Sequence, residues 1–440
     1  MMLGRIGVRQ LLARISALIG TKAVVRNVQW LFLEKVLRMA LGVVVGAWVA
    51  RYLGPERFGV LAYVTAYVAI FQAVCQLGLD SIVVRDVVQT PDQTAAVLGT
   101  TLRLRIVVSV VGFVTAMLLM AWMRPGDRES LLLTALVAGG LLFQVADTVD
   151  LWFQSQLQSR LSVAAKVTAF GIGNGARVIA ILAGAGLPVF GLLLLLEAVL
   201  SALALAVMYR KFRIRGRWTW ALGLASSMMR DAWPLLLAGL AVLLYMRLDQ
   251  ILLRELVGER ELGLYAAAQQ LSAVWYFVPM IVCSSAAPEL ARLHAQNRAD
   301  YLVALRGLFS FCWALSLAVA LVIVVGADLF VGLLFGPNYA DAAAVLRWHA
   351  MAIVPVSLGI AQSLWITHER RTALALYRTA LGFVVSLCLN LILIPRYGAA
   401  GSAIAYLCCQ LSAAILSNAV LAPEMLKLQL AALWPWQRTT

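Results

Sequence analysis

Apolar residues along this chain gather into runs about 20 residues long, separated by short stretches rich in arginine, glycine and proline. A helix needs about that many apolar residues to cross the hydrocarbon core of a bilayer. The runs fall at roughly 30–52, 58–79, 104–122, 131–153, 162–184, 188–209, 232–254, 262–288, 306–330, 342–366, 373–395 and 398–421. They predict twelve membrane-spanning helices. The second, eighth, ninth and twelfth are nearly free of charge, whereas the first, fifth, seventh and tenth carry internal charges.

Composition supports the same class. The chain is 62% hydrophobic and 13% charged, with a mean hydropathy of +0.88; a soluble domain runs nearer half apolar and a quarter charged. The predicted fold is therefore an all-α integral membrane protein. Lysine and arginine total 36 against 21 acidic residues, a formal charge of +15. In a soluble protein that excess would point to nucleic acid. Counting between spans gives a different cause. With the N-terminus inside, the inner segments hold 24 Lys and Arg and the outer segments seven, as expected when cytoplasmic loops collect positive charge. Both termini are predicted cytoplasmic, and no nucleic-acid partner is needed.

The charge pattern also suggests an organisation. Residues 1–29 place Leu11, Ile15, Leu18 and Ile19 on one helical face, with Arg14 interrupting the apolar stretch; they read as an amphipathic helix on the inner leaflet and not as a signal peptide. Spans 1–6 occupy an N-terminal lobe, 30–209. A basic cytoplasmic linker, 210–231, carries Arg210, Lys211, Arg213, Arg215 and Arg217. Spans 7–12 form a C-terminal lobe, 232–421, followed by a cytoplasmic tail, 422–440. Gly54 and Gly59 recur as Gly258 and Gly263, displaced by the same 204 residues, as do Ala62 and Ala69. Two six-helix halves in the same orientation, with a central cavity between them, are a transporter architecture.

The six cysteines lie in apolar runs without a CxxC, and the three histidines are scattered without an HExxH. Cysteines so placed read as small buried hydrophobes, and no metal centre is expected. Gly171-Ile172-Gly173-Asn174-Gly175-Ala176 matches a dinucleotide fingerprint but lies inside a span, where no βαβ unit exists. Gly171 with Gly175, like Gly42 with Gly46, is read instead as a GxxxG pair for close helix approach. No GxxxxGK[ST] motif is present, and no cofactor is expected.

Charges inside spans are the informative residues, because each costs about 2.5–3.5 kcal/mol to insert centrally. They are Glu34, Lys35 and Arg38 in the first span, Asp147 and Asp150 in the fourth, and Arg177 in the fifth. Glu197 follows in the sixth, Arg247 and Asp249 in the seventh, and Arg347 in the tenth. The set suits a wet cationic cavity that binds an anion. Arg38, Arg177 and Arg247, with Lys35, are the candidate anion holders; Glu34, Asp150, Glu197 and Asp249 are candidates for ion coupling or for pairing with the cations.

Several segments, taken in order, resemble the polysaccharide-biosynthesis flippases, the Wzx-type exporters of O-antigen and similar repeat units. They are Arg51-Tyr52-Leu53-Gly54-Pro55-Glu56-Arg57-Phe58-Gly59 with Tyr63; Gly78-Leu79-Asp80 leading to Arg85-Asp86; and Asp150-Leu151-Trp152-Phe153-Gln154. Further along come Arg247-Leu248-Asp249-Gln250 with Gly258, Gly263, Tyr265, Pro279 and Pro288, then Phe335-Gly336-Pro337-Asn338-Tyr339 and Ile394-Pro395-Arg396-Tyr397-Gly398. The likeness covers roughly 27–421. It implies membership of the multidrug/oligosaccharidyl-lipid/polysaccharide exporter superfamily and a non-enzymatic role. The implied cargo is an oligosaccharide on undecaprenyl pyrophosphate, flipped from the inner to the outer leaflet of the bacterial inner membrane by alternating access, for O-antigen or exopolysaccharide synthesis. Implied partners are that lipid-linked oligosaccharide, membrane lipids, and a polysaccharide polymerase with its chain-length machinery. A pyrophosphate suits the planar fork of arginine. Two alternatives stay open: a cation-coupled drug exporter of the same superfamily, and a membrane polymerase or acyltransferase.

Overall fold

The computed structural model describes residues 22–212 and 217–433, and among these there is helix and no strand. The proposed N-terminal surface helix, the centre of the basic linker and the last residues of the tail lie outside the described residues. Among the described residues, ten stretches are long and apolar enough to cross a membrane. The first, Leu37–Gln89, and the last, Ala373–Leu421, are each broken at a glycine, Gly54 and Gly398. Fifty residues of unbroken helix would measure about 75 Å, more than twice a bilayer core. Counted on either side of these glycines, the spanning stretches among the described residues number twelve and follow the twelve apolar runs in order.

The joints explain the sequence repeat. Gly54 has φ 74° and ψ 167°, Gly258 has φ 99° and ψ −176°, and Gly336 has φ 83° and ψ −175°. This region of backbone space is open to glycine and essentially closed to residues with a Cβ. Glycines displaced by 204 residues thus make the same turn, each ahead of an even-numbered span.

Contacts divide the chain into two compact units, Ala23–Arg247 and one built from Leu248 onward. The division falls inside the Leu222–Val257 helix, whereas charge alone placed the seam at 210–231. Packing supplies the reason. Gly78 lets the backbone of this helix approach so closely that a Cβ there would sit 2.7 Å from Leu236 N. Arg85 also pairs with Asp231 at 2.9 Å. Just upstream, Thr219 N–H donates to Ala95 O and Ala221 N–H to Thr100 Oγ1, both at 3.2 Å. The beginning of the seventh span is thereby held in the N-terminal unit.

Each unit has an apolar core of its own. In the first, Leu79, Val83, Leu98, Trp152, Phe153 and Leu205 pack together. In the second, Tyr301, Leu305, Phe309, Leu358, Trp365 and Met425 do so. The Pro423–Leu433 helix closes onto the latter, with Arg306 Nε donating to Ala431 O and Ser310 Oγ to Ala432 O. Cys388 is exposed on the outer face of its helix and not buried as expected; in a span, lipid accommodates a thiol as readily as a protein core does.

Candidate functional site

Within the N-terminal unit the first, second, fourth, fifth and sixth spans line an open cavity of about 450 Å3. Arg38, Gln72, Gln144, Asp147, Lys166 and Glu197 supply its charged and amide lining. That volume lies within the range of small-molecule sites.

Two ionic clusters form its polar wall. Glu197 on the Leu187–Lys211 helix accepts from Arg177 Nη2 at 2.7 Å and lies 3.4 Å from Arg38 Nη2. Arg177 also donates to Asn174 Oδ1 at 3.0 Å, and Arg38 lies over the Phe170 ring at 4.8 Å. In the second cluster Lys166 Nζ bridges Asp147 at 2.9 Å and Asp150 at 2.6 Å. Charged groups in hydrocarbon need such partners, because lipid cannot solvate them. Asp147 and Asp150, three residues apart, share one helical face, and both reach one ammonium.

Close approach around Glu197 is made possible by Gly173. A Cβ there would lie 3.3 Å from Glu197 Oε2. This corrects the GxxxG reading of the fifth span. Gly171 and Gly175 are exposed, and a Cβ on either would meet nothing within 4 Å. Four-residue spacing set those two on the outward face, while Gly173 and Asn174, about half a turn away, face the neighbouring helix. A Cβ at Gly42 would meet the Phe170 ring at an ordinary 3.9 Å.

The residues singled out from sequence thus separate. Arg38, Asp147 and Glu197 line the cavity, Arg177 and Asp150 stand behind it bonded to lining residues, and Lys35 is exposed and outside the lining. The Glu34 side chain lies outside the described ones. Arg247 is half-buried and is not among the lining residues. Asp249 is buried in the C-terminal unit, where Tyr265 Oη donates to its carboxylate and Gln250 N–H does so at 2.7 Å. Sequence reasoning missed Lys166, counted there among loop charges. It missed Gln144 as well, since a single amide in an apolar run carries no signal of direction. Arg38, Arg177 and Lys166 face three carboxylates, Asp147, Asp150 and Glu197. Among the described residues the wall is therefore balanced in charge, not cationic.

A second buried polar nest occupies the C-terminal unit. Gln250 bonds Gln269, and His349 Nδ1 lies 2.7 Å from Ser272 Oγ. The His349 ring stacks on Tyr406 with centroids 4.5 Å apart. These groups lie on different spans, so it too is invisible to a search along the chain.

The family model for polysaccharide biosynthesis proteins matches residues 24–294. No curated protein sequence matches the chain. Among solved structures the fold is similar to an inward-facing multidrug resistance MATE family transporter of the MOP superfamily, at 16% identity and a TM-score of 0.72, over 89% of this chain and 95% of that one. It is similar to the lipid II flippase MurJ in an inward closed conformation, at 11% identity and a TM-score of 0.71, over 91% and 90%. A third likeness is to a MOP superfamily transporter from Pyrococcus furiosus, at 16% identity and a TM-score of 0.65, over 94% and 98%.

Proposed function

Because this chain belongs to the polysaccharide biosynthesis protein family, we propose that it flips undecaprenyl-pyrophosphate-linked oligosaccharides from the inner to the outer leaflet of the bacterial inner membrane. The product serves O-antigen or exopolysaccharide assembly, the movement is by alternating access, and the chain acts as a transporter and not as an enzyme. The observation that carries the reading is a polar, ion-lined cavity of about 450 Å3 within the family-matched segment of a multi-pass membrane fold. Such a polar cavity offers sugar hydroxyls hydrogen-bonding groups while the lipid tail stays in the bilayer. The charge bias of the loops supports cytoplasmic termini. Arg247, which is half-buried and outside the lining of this cavity, is proposed to meet the pyrophosphate, while Arg38 and Arg177 are proposed to orient Glu197.

A clean deletion tests the function. It should stop surface or secreted polysaccharide and leave lipid-linked units in the inner leaflet; unchanged polysaccharide would overturn the reading. The three carboxylates at the N-terminal cavity favour one second reading, a cation-coupled drug exporter, since a cationic drug needs acidic groups. Export of a cationic dye by the purified protein in vesicles would support that alternative.

A further inference from the structure

The end of the N-terminal unit that leads into the linker carries cations without acidic partners. From residue 198 to residue 230 the chain holds no aspartate or glutamate. Arg210 and Lys211 close the Leu187–Lys211 helix, and Arg217 follows shortly after it. All three are exposed, and among the described residues no carboxylate pairs with them. Asp231, the next acid along the chain, is taken by Arg85 at 2.9 Å.

The fold gathers these cations in one place. Trp218 Nε1 donates to Tyr209 Oη at 2.6 Å, with ring centroids 5.2 Å apart. Tyr209 in turn packs edge-on against the buried Trp152 at 5.5 Å. Gly99 lets the following stretch approach, since a Cβ there would lie 2.7 Å from Thr219 N. Arg210 and Arg217 each adjoin one member of the Tyr209–Trp218 pair, so that contact holds their backbones close together.

Apolar side chains frame the same surface. Phe212, Trp220 and Leu222 are exposed, and Lys211 Nζ lies 5.8 Å from the centre of the Phe212 ring. One spanning stretch ends at Lys211 and the next begins at Leu222, so these groups sit at the depth where headgroups meet acyl chains. Exposed tryptophan and leucine beside the cations set this surface apart from a merely solvated basic face. A free phosphate or a nucleic acid would leave the apolar part uncovered. A lipid with an anionic headgroup uses both parts: arginine forks meet its phosphate oxygens, and its acyl chains cover the apolar residues. None of these six residues lines the polar cavity.

We infer that Arg210, Lys211 and Arg217, with Phe212, Trp220 and Leu222 beside them, form a docking surface for an anionic phospholipid such as phosphatidylglycerol. A headgroup held there anchors the linker to the bilayer surface, whatever cargo the protein moves.

The test titrates the full-length protein in detergent micelles with phosphatidylglycerol and with phosphatidylcholine, and counts bound lipid by native mass spectrometry. Phosphatidylglycerol should bind the more tightly. Arg210→Gln, Lys211→Gln and Arg217→Gln combined should weaken its binding about 100-fold, about fivefold for each basic residue removed. Phosphatidylcholine binding should not change. Arg57→Gln, Arg128→Gln and Arg396→Gln combined remove as many exposed arginines from the loops predicted on the other side, and should leave phosphatidylglycerol binding as in the wild type. No preference for phosphatidylglycerol in the wild type, or an equal loss in both triple variants, overturns the inference. So does tighter binding of undecaprenyl phosphate, inorganic pyrophosphate or a single-stranded oligonucleotide through the same three residues. Melting temperatures keep a folding defect apart from a binding defect. If the linker triple variant does not fold, Arg217→Gln alone takes its place, with about a fivefold loss expected.

Discussion

Arg177 and Glu197 lie 20 residues apart on neighbouring helices, and their side chains meet at 2.7 Å with about 15% of each exposed. An arginine in that position completes an ion pair first. Arg177→Ala should therefore leave a carboxylate uncompensated and cost roughly 3 kcal/mol, at the lower end for a buried pair. Protein amount in membranes and thermal stability should both drop. Arg177→Ala combined with Glu197→Ala should recover much of the loss. Arg38→Ala should behave differently, since its side chain is more exposed and its contact with Glu197 is longer: normal protein amount with reduced polysaccharide output. Stability equal to wild type in Arg177→Ala would refute the structural assignment.

Lys166 supports a second prediction. Its ammonium holds Asp147 and Asp150 together on one wall. Lys166→Met should bring two carboxylates face to face and destabilise the N-terminal unit by roughly 3–5 kcal/mol. Asp147→Asn should be milder than Asp150→Asn, because Asp147 is 37% exposed and Asp150 12%. Detergent-solubilised melting temperatures rank the three, and an unchanged Lys166→Met would refute the clamp.

Glycines in open space allow a matched comparison. A Cβ at Gly54, Gly171, Gly175 or Gly258 would meet nothing within 4 Å, so alanine there reports backbone conformation alone. Gly171→Ala and Gly175→Ala, within a regular helix, should stabilise by about 0.5–1 kcal/mol. Gly54→Ala and Gly258→Ala, at positive φ, should cost about 1–3 kcal/mol. Gly173→Val should also be costly, about 1–3 kcal/mol, because it pushes against Glu197. Loss of stability in Gly171→Ala would reinstate the GxxxG contact.

Orientation can be read in intact cells. In a cysteine-free background, a membrane-impermeant thiol reagent should label cysteine placed at Pro55 or Asn338. It should not label cysteine placed at Arg217. Labelling at Arg217 in unbroken cells would invert the topology.

The chain's order of apolar runs determined the number of spans, and its glycines determined where the first and eleventh spans turn back, because both depend on local length and backbone freedom. The ordered motifs were enough to reach the family. Sequence could not say which intramembrane charges meet. A helix in water shows its inner face as an apolar stripe, but a helix in lipid is apolar all round and its packed face leaves little periodic trace. The fifth span makes the point: its spacing suggested Gly171 and Gly175 as the contact, and the fold turned Gly173 inward to Glu197. Lys166 looked like a loop charge until the fourth and fifth spans came side by side and gave it two carboxylates. Pairing across helices is set by rotation and depth, which only the packed tertiary structure specifies.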